Sequence, residues 1–266
     1  LAGSELPCLI VNIARGGPGL GTIQPSQGDY FQATRGGGHG DYRTLVMAPA
    51  SVQDMADFVK QGFDLAFKYR NPVLILADGM IGQMMEKVKF FEQIARTENT
   101  DIPKLTPWAA TGKPENRSRN VIKSVELHSE TFEKINLKLQ DKYNQMKEED
   151  VQYQEFQCED AEYLLVAFGS VSRICQRAVE DARKKGIKAG LIRPVTLFPF
   201  PEKRIAELAK NIKGILTVEM NAGQMAEDVR LAVNGKTNVQ FYGRMGGMIP
   251  QPDDIVNNIQ EKFLGG

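Results

Sequence analysis

Hydrophobic positions fall into two blocks separated by a charged, proline-bearing stretch. The first block opens on Cys8-Leu9-Ile10-Val11-Asn12-Ile13, whose length and branching predict a buried strand. A short strand is expected over residues 44–48, then a helix that Ser51 caps, with Asp54 three residues on in a capping box. Val52, Met55, Ala56, Val59, Phe63 and Phe67 fall at helical spacing and form its expected inward face. Pro72 introduces Val73-Leu74-Ile75-Leu76-Ala77, a continuous apolar run ending at Asp78-Gly79, as in a parallel strand covered on both faces. Three strands and one strong helix make an incomplete sheet. Either the sheet borrows strands from another chain or its domain begins upstream of residue 1, and the second is favoured.

Over residues 88–160 the strand pattern stops and charge and proline rise, which predicts a connecting arm. One helix interrupts it, capped by Ser129, with Phe132, Ile135, Leu139, Tyr143 and Met146 three or four apart on a face that needs a partner surface. Trp108 in TPWAATG reads as a ring sealing a satellite core. From Tyr163 onward strands and helices alternate. Strands are expected over 164–168, 187–192, 215–220 and 239–242, and helices over 171–184, 201–210, 225–233 and 253–263. Ile174, Ala178 and Val179 point inward, Pro194 ends the second of these strands, and TLFPFP at 196–201 is a stiff corner. The whole is an α/β chain in three parts, 1–87, 88–160 and 161–266, the last a complete small domain with a parallel sheet.

Composition narrows the function. The 266 residues carry 33 basic and 33 acidic side chains with 42% apolar residues, so nothing marks a nucleic-acid binder. No apolar run approaches a membrane span and no export signal opens the chain, so a cytoplasmic protein is expected. Cys8, Cys158 and Cys175 lack CxxC spacing, offer neither a zinc site nor an iron–sulfur nest, and read as buried inert thiols. No dinucleotide or P-loop glycine signature follows a strand.

Candidate chemistry concentrates in residues 15–41, RGGPGLGTIQPSQGDYFQATRGGGHGD, where nine glycines lie between two apolar runs. Such a loop lets other groups approach the backbone closely. Its place after a strand is where ligands collect in open α/β sheets. The loop holds Arg15, Arg35, Asp29, His39 and Asp41. Arg15 offers a rigid fork for a substrate carboxylate, with Gly16 and Gly17 leaving room beside it, or else pairs with a neighbouring Asp. His39 is an acid–base candidate near neutral pH or a hydrogen-bonding prop. Outside the loop, Asp78 orients a loop or closes an interface, and Gly169-Ser170 holds an anion or simply forms a joint. Glu219 is an interface acid, and His128 is solvated.

The strings RGGPGLG, GGGHGDY, DGMIGQMMEK, IRPVTLFPFP and FYGRMGGMIP together resemble the alpha subunit of 2-oxoacid:ferredoxin oxidoreductases, closest to the branched-chain 2-ketoisovalerate type, over essentially the whole chain. The resemblance implies an incomplete pyrimidine-side thiamine-diphosphate domain followed by a transketolase C-terminal-like domain. It implies an enzyme that decarboxylates a 2-oxoacid to an acyl-CoA and passes electrons to ferredoxin. Thiamine diphosphate with Mg2+ would be shared with another subunit. Iron–sulfur clusters and coenzyme A would belong to the complex of beta and gamma/delta subunits rather than to this chain alone, which would hold no metal. Arg15 matches the position that grips the substrate carboxylate, and the segment from Leu20 to Gln24 lies toward the substrate's side chain. Gly16 and Gly17 become cofactor-side candidates and His39 a catalytic one. The family's upstream Y-P-x-T-P segment and its aminopyrimidine glutamate have no counterpart here, so the expectation is an N-terminally truncated subunit, inactive alone. A non-catalytic scaffold retaining the fold stands as the alternative, and a lipoamide-linked thiamine dehydrogenase is disfavoured by RGGPGLG and GGGHGDY.

Overall fold

The computed structural model describes residues 1–92, 106–113 and 115–265. Of the expected connecting arm, residues 93–105 and 114 lie outside this range. The chain forms strands β1 (Cys8–Ala14), β2 (Leu45–Met47), β3 (Pro72–Asp78), β4 (Tyr153–Phe156), β5 (Tyr163–Val166), β6 (Ala189–Pro194), β7 (Thr196–Phe198), β8 (Gly214–Glu219) and β9 (Val239–Gly243). They build two sheets, ordered β1-β3-β2-β7 and β4-β6-β5-β8-β9. Each sheet is parallel except at one edge, where β7 and β4 respectively run antiparallel. Helices α1 (Tyr30–Thr34), α2 (Val52–Tyr69), α3 (Gly79–Gln83), α4 (Ser129–Glu149), α5 (Gly169–Lys184), α6 (Glu202–Leu208), α7 (Gln224–Val233) and α8 (Pro252–Ile259) connect and cover them.

Several expectations are corrected. TLFPFP is no mere corner: residues 196–198 leave the second half of the chain and join the first sheet as its fourth strand. Strand β6 runs through Pro194 rather than stopping before it. Residues 153–156 of the expected arm are likewise a strand of the second sheet. Strand β1 is an edge strand, with Ile10, Val11 and Ile13 exposed instead of buried. Helix α2 begins as its capping residues predict, the Asp54 amide donating to Ser51 Oγ at 3.0 Å and the Ala50 amide to Asp54 Oδ2 at 2.9 Å. Its inward face, however, is Phe58, Gly62, Leu65, Ala66 and Tyr69, while Val59, Phe63 and Phe67 face out. Gly62 is needed there because a Cβ would lie 2.6 Å from Leu9 Cδ1. Phe67 and Arg70 meet Trp108 on that outer face. Helix α4 buries Leu139, Tyr143 and Met146 as expected, but its N-cap is His128, without a side-chain cap bond, and Ser129 is already helical. Cys158 and Cys175 are buried and Cys8 is only half-buried. Burial pushes all three thiols up, Cys158 to about 11, so they stay protonated at neutral pH.

The two sheets meet at the carboxyl ends of their strands. Asp78, ending β3, accepts the Ser170 hydroxyl at the start of α5 at 2.6 Å and the Met80 amide of α3 at 2.9 Å. Gly169-Ser170 is thus a buried joint, and Asp78 closes an interface. The Gln27 amide donates to Met220 O at 3.0 Å just beyond β8, while Gln27 Oε1 accepts the Met220 amide at 3.0 Å and Gln27 Nε2 donates to Phe168 O at 2.9 Å. Arg193 on β6 adds a second tie, donating to Asp54 Oδ2 at 2.6 Å and to Ala48 O at 3.0 Å. Glu219, fully buried at the end of β8, accepts the amides of Met225 and Ala226 in the first turn of α7 at 2.8 and 3.0 Å.

Two outcomes follow. Phe58→Ala should destabilise the protein by about 3–5 kcal/mol and Phe63→Ala by under about 1 kcal/mol, because only the first opens a cavity. Urea denaturation compares them, and equal costs would mean that α2 presents the other face. Desolvation pushes the Glu219 carboxyl from the usual 4.5 up to about 7 despite its two amide donors. Between these values the folded state holds the extra proton, so this group's stabilisation is complete below pH 4.5 and is lost as pH rises through about 7. The swing is at most about 3 kcal/mol. Glu219→Gln should flatten that part of the stability–pH curve, and an unchanged slope would show that Glu219 titrates normally.

Candidate functional site

The glycine loop leaves β1 at Arg15 and is closed at its neck. Arg15 and Pro25 form an antiparallel bridge, the Gly16 amide donates to Gln24 O at 2.9 Å, and the Thr22 amide donates to Gly16 O at 2.8 Å. Gly21 has φ +53°, and a Cβ there would lie 1.8 Å from Gly16 O, so only glycine permits this fold-back. Leu20 and Ile23 consequently stand out into solvent. Past the neck the backbone is held from several sides. Ser26 and Gln27 are buried against Met220, Asn221 Nδ2 donates to Gln27 O at 2.9 Å, and Gln224 Nε2 donates to Gly28 O at 2.8 Å. Tyr30 in α1 donates its hydroxyl to Asp228 Oδ2 at 2.5 Å, and Arg35 Nη2 reaches Asp228 Oδ1 at 2.7 Å.

Arg15 is exposed, and its Nη1 donates to Leu20 O within the loop. A guanidinium has five N–H donors in a planar fork, so most of that fork is available for an anion. Among the described residues no carboxylate pairs with Arg15, so the structure does not take the ion-paired alternative. Leu20, Gln24, Gly16 and Gly17 lie on the same closed loop, with Gly16 buried and the rest exposed. Asp29 accepts the Asn12 amide at 2.9 Å, and Arg35 is committed to Asp228. His39 and Asp41 are exposed and line a separate cleft of about 720 Å³ with Asn12, Gln32, Leu74 and Phe132. Arg15, Leu20 and Gln24 do not line that cleft, so the loop divides into two faces rather than one constellation.

Three contributors escaped the sequence reading. Gln27 and Asp228 are ordinary polar residues whose roles come only from partners some 190 positions away. The third is the Gly246-Gly247 pair, which lies against Gly16, Thr22 and Gln24. Its repeated glycines in GRMGGM were the available signal. Among the described residues, no group of three or more His, Cys, Asp or Glu could hold a metal ion, and no helix is long and apolar enough to cross a membrane.

Residues 1–158 match the family model described as pyruvate flavodoxin/ferredoxin oxidoreductase, thiamine diP-bdg, and residues 161–255 match pyruvate:ferredoxin oxidoreductase core domain II. Among curated relatives, the ketoisovalerate oxidoreductase subunit VorB of Methanothermobacter marburgensis is 48% identical, the alignment covering 98% of this chain and 72% of the relative. The 2-oxoglutarate synthase subunit KorA of the same organism is 34% identical, over 96% and 74% of the two chains. Of solved structures, a 2-oxoglutarate:ferredoxin oxidoreductase from Magnetococcus marinus shares the fold, with a TM-score of 0.80 at 24% identity over 98% of this chain and 49% of that one. With two matched domain models and relatives near half identical along almost its full length, the chain belongs to the 2-oxoacid:ferredoxin oxidoreductase family.

Proposed function

We propose that this chain is the alpha-type subunit of an enzyme that oxidatively decarboxylates a branched-chain 2-oxoacid to its acyl-CoA, with ferredoxin taking up the two electrons. The observation that carries this reading is Arg15: an exposed guanidinium at the carboxyl end of β1, tied among the described residues only to Leu20 O. A 2-oxoacid brings a planar carboxylate that accepts two parallel N–H bonds from such a fork. Leu20 and Ile23, 86% and 76% exposed, then supply apolar surface beside the anchored carboxylate, and Gln24 closes the same loop. An apolar wall of this kind suits an isopropyl group better than a second carboxylate. The likeness to a ketoisovalerate oxidoreductase subunit supports that choice.

Within this reading the magnesium and diphosphate of thiamine rest on another subunit. The guanidinium and the open backbone at Gly17, where an added Cβ would meet nothing within 4 Å, fit the substrate side of such a site, while Gly16 is buried against Thr22 and Gly246-Gly247. Thiamine diphosphate, when bound, supplies the electron sink for decarboxylation. The chain's own contribution is to bind and orient the carboxylate that departs as carbon dioxide. His39, on the separate cleft, takes no step in this reading. Coenzyme A and the iron–sulfur clusters are contributions of the assembled beta and gamma/delta partners in the cytoplasm. The exposed Ile10, Val11 and Ile13 along β1 support such assembly, since an edge strand with exposed apolar side chains calls for cover.

In the assembled enzyme, Arg15→Ala should lower kcat/KM by about ten- to a hundredfold on pyruvate, 2-oxobutanoate and 2-ketoisovalerate alike, because every 2-oxoacid carries the carboxylate. Arg15→Lys should rescue only in part, lacking the fork. Gln24 substitutions should instead change the ranking of the three acids. Steady-state kinetics with Tm as folding control reads these outcomes, and near-native kcat/KM for Arg15→Ala on all three would show the arginine to be structural.

A further inference from the structure

The loop that follows β9 lies directly against the loop that follows β1. Gly247 has φ +95°, and a Cβ placed on it would lie 2.4 Å from Gln24 Cβ, 3.2 Å from Gln24 Cγ and 3.0 Å from Thr22 Cγ2. From the other side, a Cβ on Gly16 would lie 3.1 Å from both Gly246 C and Gly247 N. At these two positions an added methyl presses on the opposite loop.

The two sides differ in how firmly they are held. Around Gly247 the chain is pinned: the Arg244 amide donates to Glu219 O at 3.1 Å, Glu219 is itself buried beneath α7, and the Met248 amide donates to Met245 O at 3.3 Å. Gln24 is exposed, and among the described residues its side-chain amide makes no hydrogen bond. Its backbone is held at the neck, where Gln24 O accepts the Gly16 amide at 2.9 Å and the Gln24 amide donates to Thr22 Oγ1 at 3.3 Å, so it is the Gln24 side chain alone that is placed by contact. Gly247 is the wall, and the Gln24 side chain is the part that gives.

We propose that Gly247 is a specificity-positioning residue: through contact with Gln24 and Thr22 it sets how far the side-chain end of the substrate loop stands from the second sheet, and so which 2-oxoacid side chains fit. This rests on reading residues 15–24 as the substrate loop. It assigns the second α/β unit a share in substrate selection made through backbone bulk rather than through a contact with substrate. The device has a simple chemical logic. A methyl at position 247 presses first on the side chains of Gln24 and Thr22, which supply its three nearest atoms, and not on the Arg15 guanidinium, so the carboxylate anchor is kept and the side-chain end changes.

The test uses the assembled enzyme and the same three acids. Gly247→Ala should change the ratio of kcat/KM between 2-ketoisovalerate and pyruvate by about tenfold, the scale on which a pocket reads a small change in apolar bulk. Gln24→Gly should also change that ratio. Adding Gly247→Ala to it should then have little further effect on the ratio, because the two Gln24 atoms are gone and of the three nearest atoms only Thr22 Cγ2, at 3.0 Å, is left. An equal loss on all three acids, no change of ratio in Gln24→Gly, or the same effect of Gly247→Ala in both backgrounds would overturn the proposal. If Gly247→Ala alone does not assemble, the double variant against Gln24→Gly decides: an unchanged ratio supports the coupling, and a changed ratio or a double variant that also fails to assemble overturns it. Arg15→Ala measured alongside keeps the two levels apart. Its uniform loss with an unaffected ratio in Gly247→Ala defeats only the role of Gly247, whereas a neutral Arg15→Ala defeats the substrate loop itself.

Discussion

The site depends on one buried side chain, Gln27. It is 2% exposed, and all four of its polar groups are used: its amide and Oε1 both pair with Met220, its Nε2 reaches Phe168 O, and its carbonyl accepts Asn221 Nδ2. A buried donor or acceptor left without a partner costs about 1–3 kcal/mol, so the seam is specified in one register. Because Gln27 belongs to the β1 loop and its partners end β5 and β8, this bonding fixes the glycine loop to the second sheet. Residues 16–24 can then be rich in glycine without being loose, held at the Arg15–Pro25 bridge on one side and by this buried seam on the other.

The same packing explains why a cation can stand free at the loop. The acidic groups nearest the seam are already committed. Asp29 accepts Asn12, Asp228 takes Tyr30 and Arg35, Asp78 takes Ser170 and two amides, and Glu219 takes two amides of α7. Burial also lifts the carboxyl of Asp78 above its ordinary value and that of Glu219 to about 7, which lowers the negative charge that Glu219 presents near neutral pH. Arg15 is left with a backbone carbonyl as its partner, the arrangement that favours an incoming carboxylate over an internal ion pair.

Strands and helices were legible where a single segment carries its own pattern. The apolar runs of β3, β5 and β8 have the length and branching of buried parallel strands, and they form as read. The two antiparallel edge strands were not legible, since β4 and β7 are short and take their identity from β6 and β2, partners found only after the chain has folded. The helix α2 misled for a different reason. It carries two apolar stripes, and which one turns inward is settled by packing at Gly62 against Leu9 and Met47, residues distant in sequence. At the site, Arg15 and the glycines were visible as a composition anomaly. Gln27 and Asp228 were not, because a buried hydrogen bond between distant residues leaves no local signature.

The most direct measurement is an experimental structure of the assembled enzyme with a 2-oxoacid or a non-decarboxylating analogue bound. The account predicts the ligand's carboxylate at about 2.7–2.9 Å from the Arg15 guanidinium, with its side chain toward Leu20 and Gln24. A carboxylate held elsewhere, with Arg15 still turned only to Leu20 O, would contradict it.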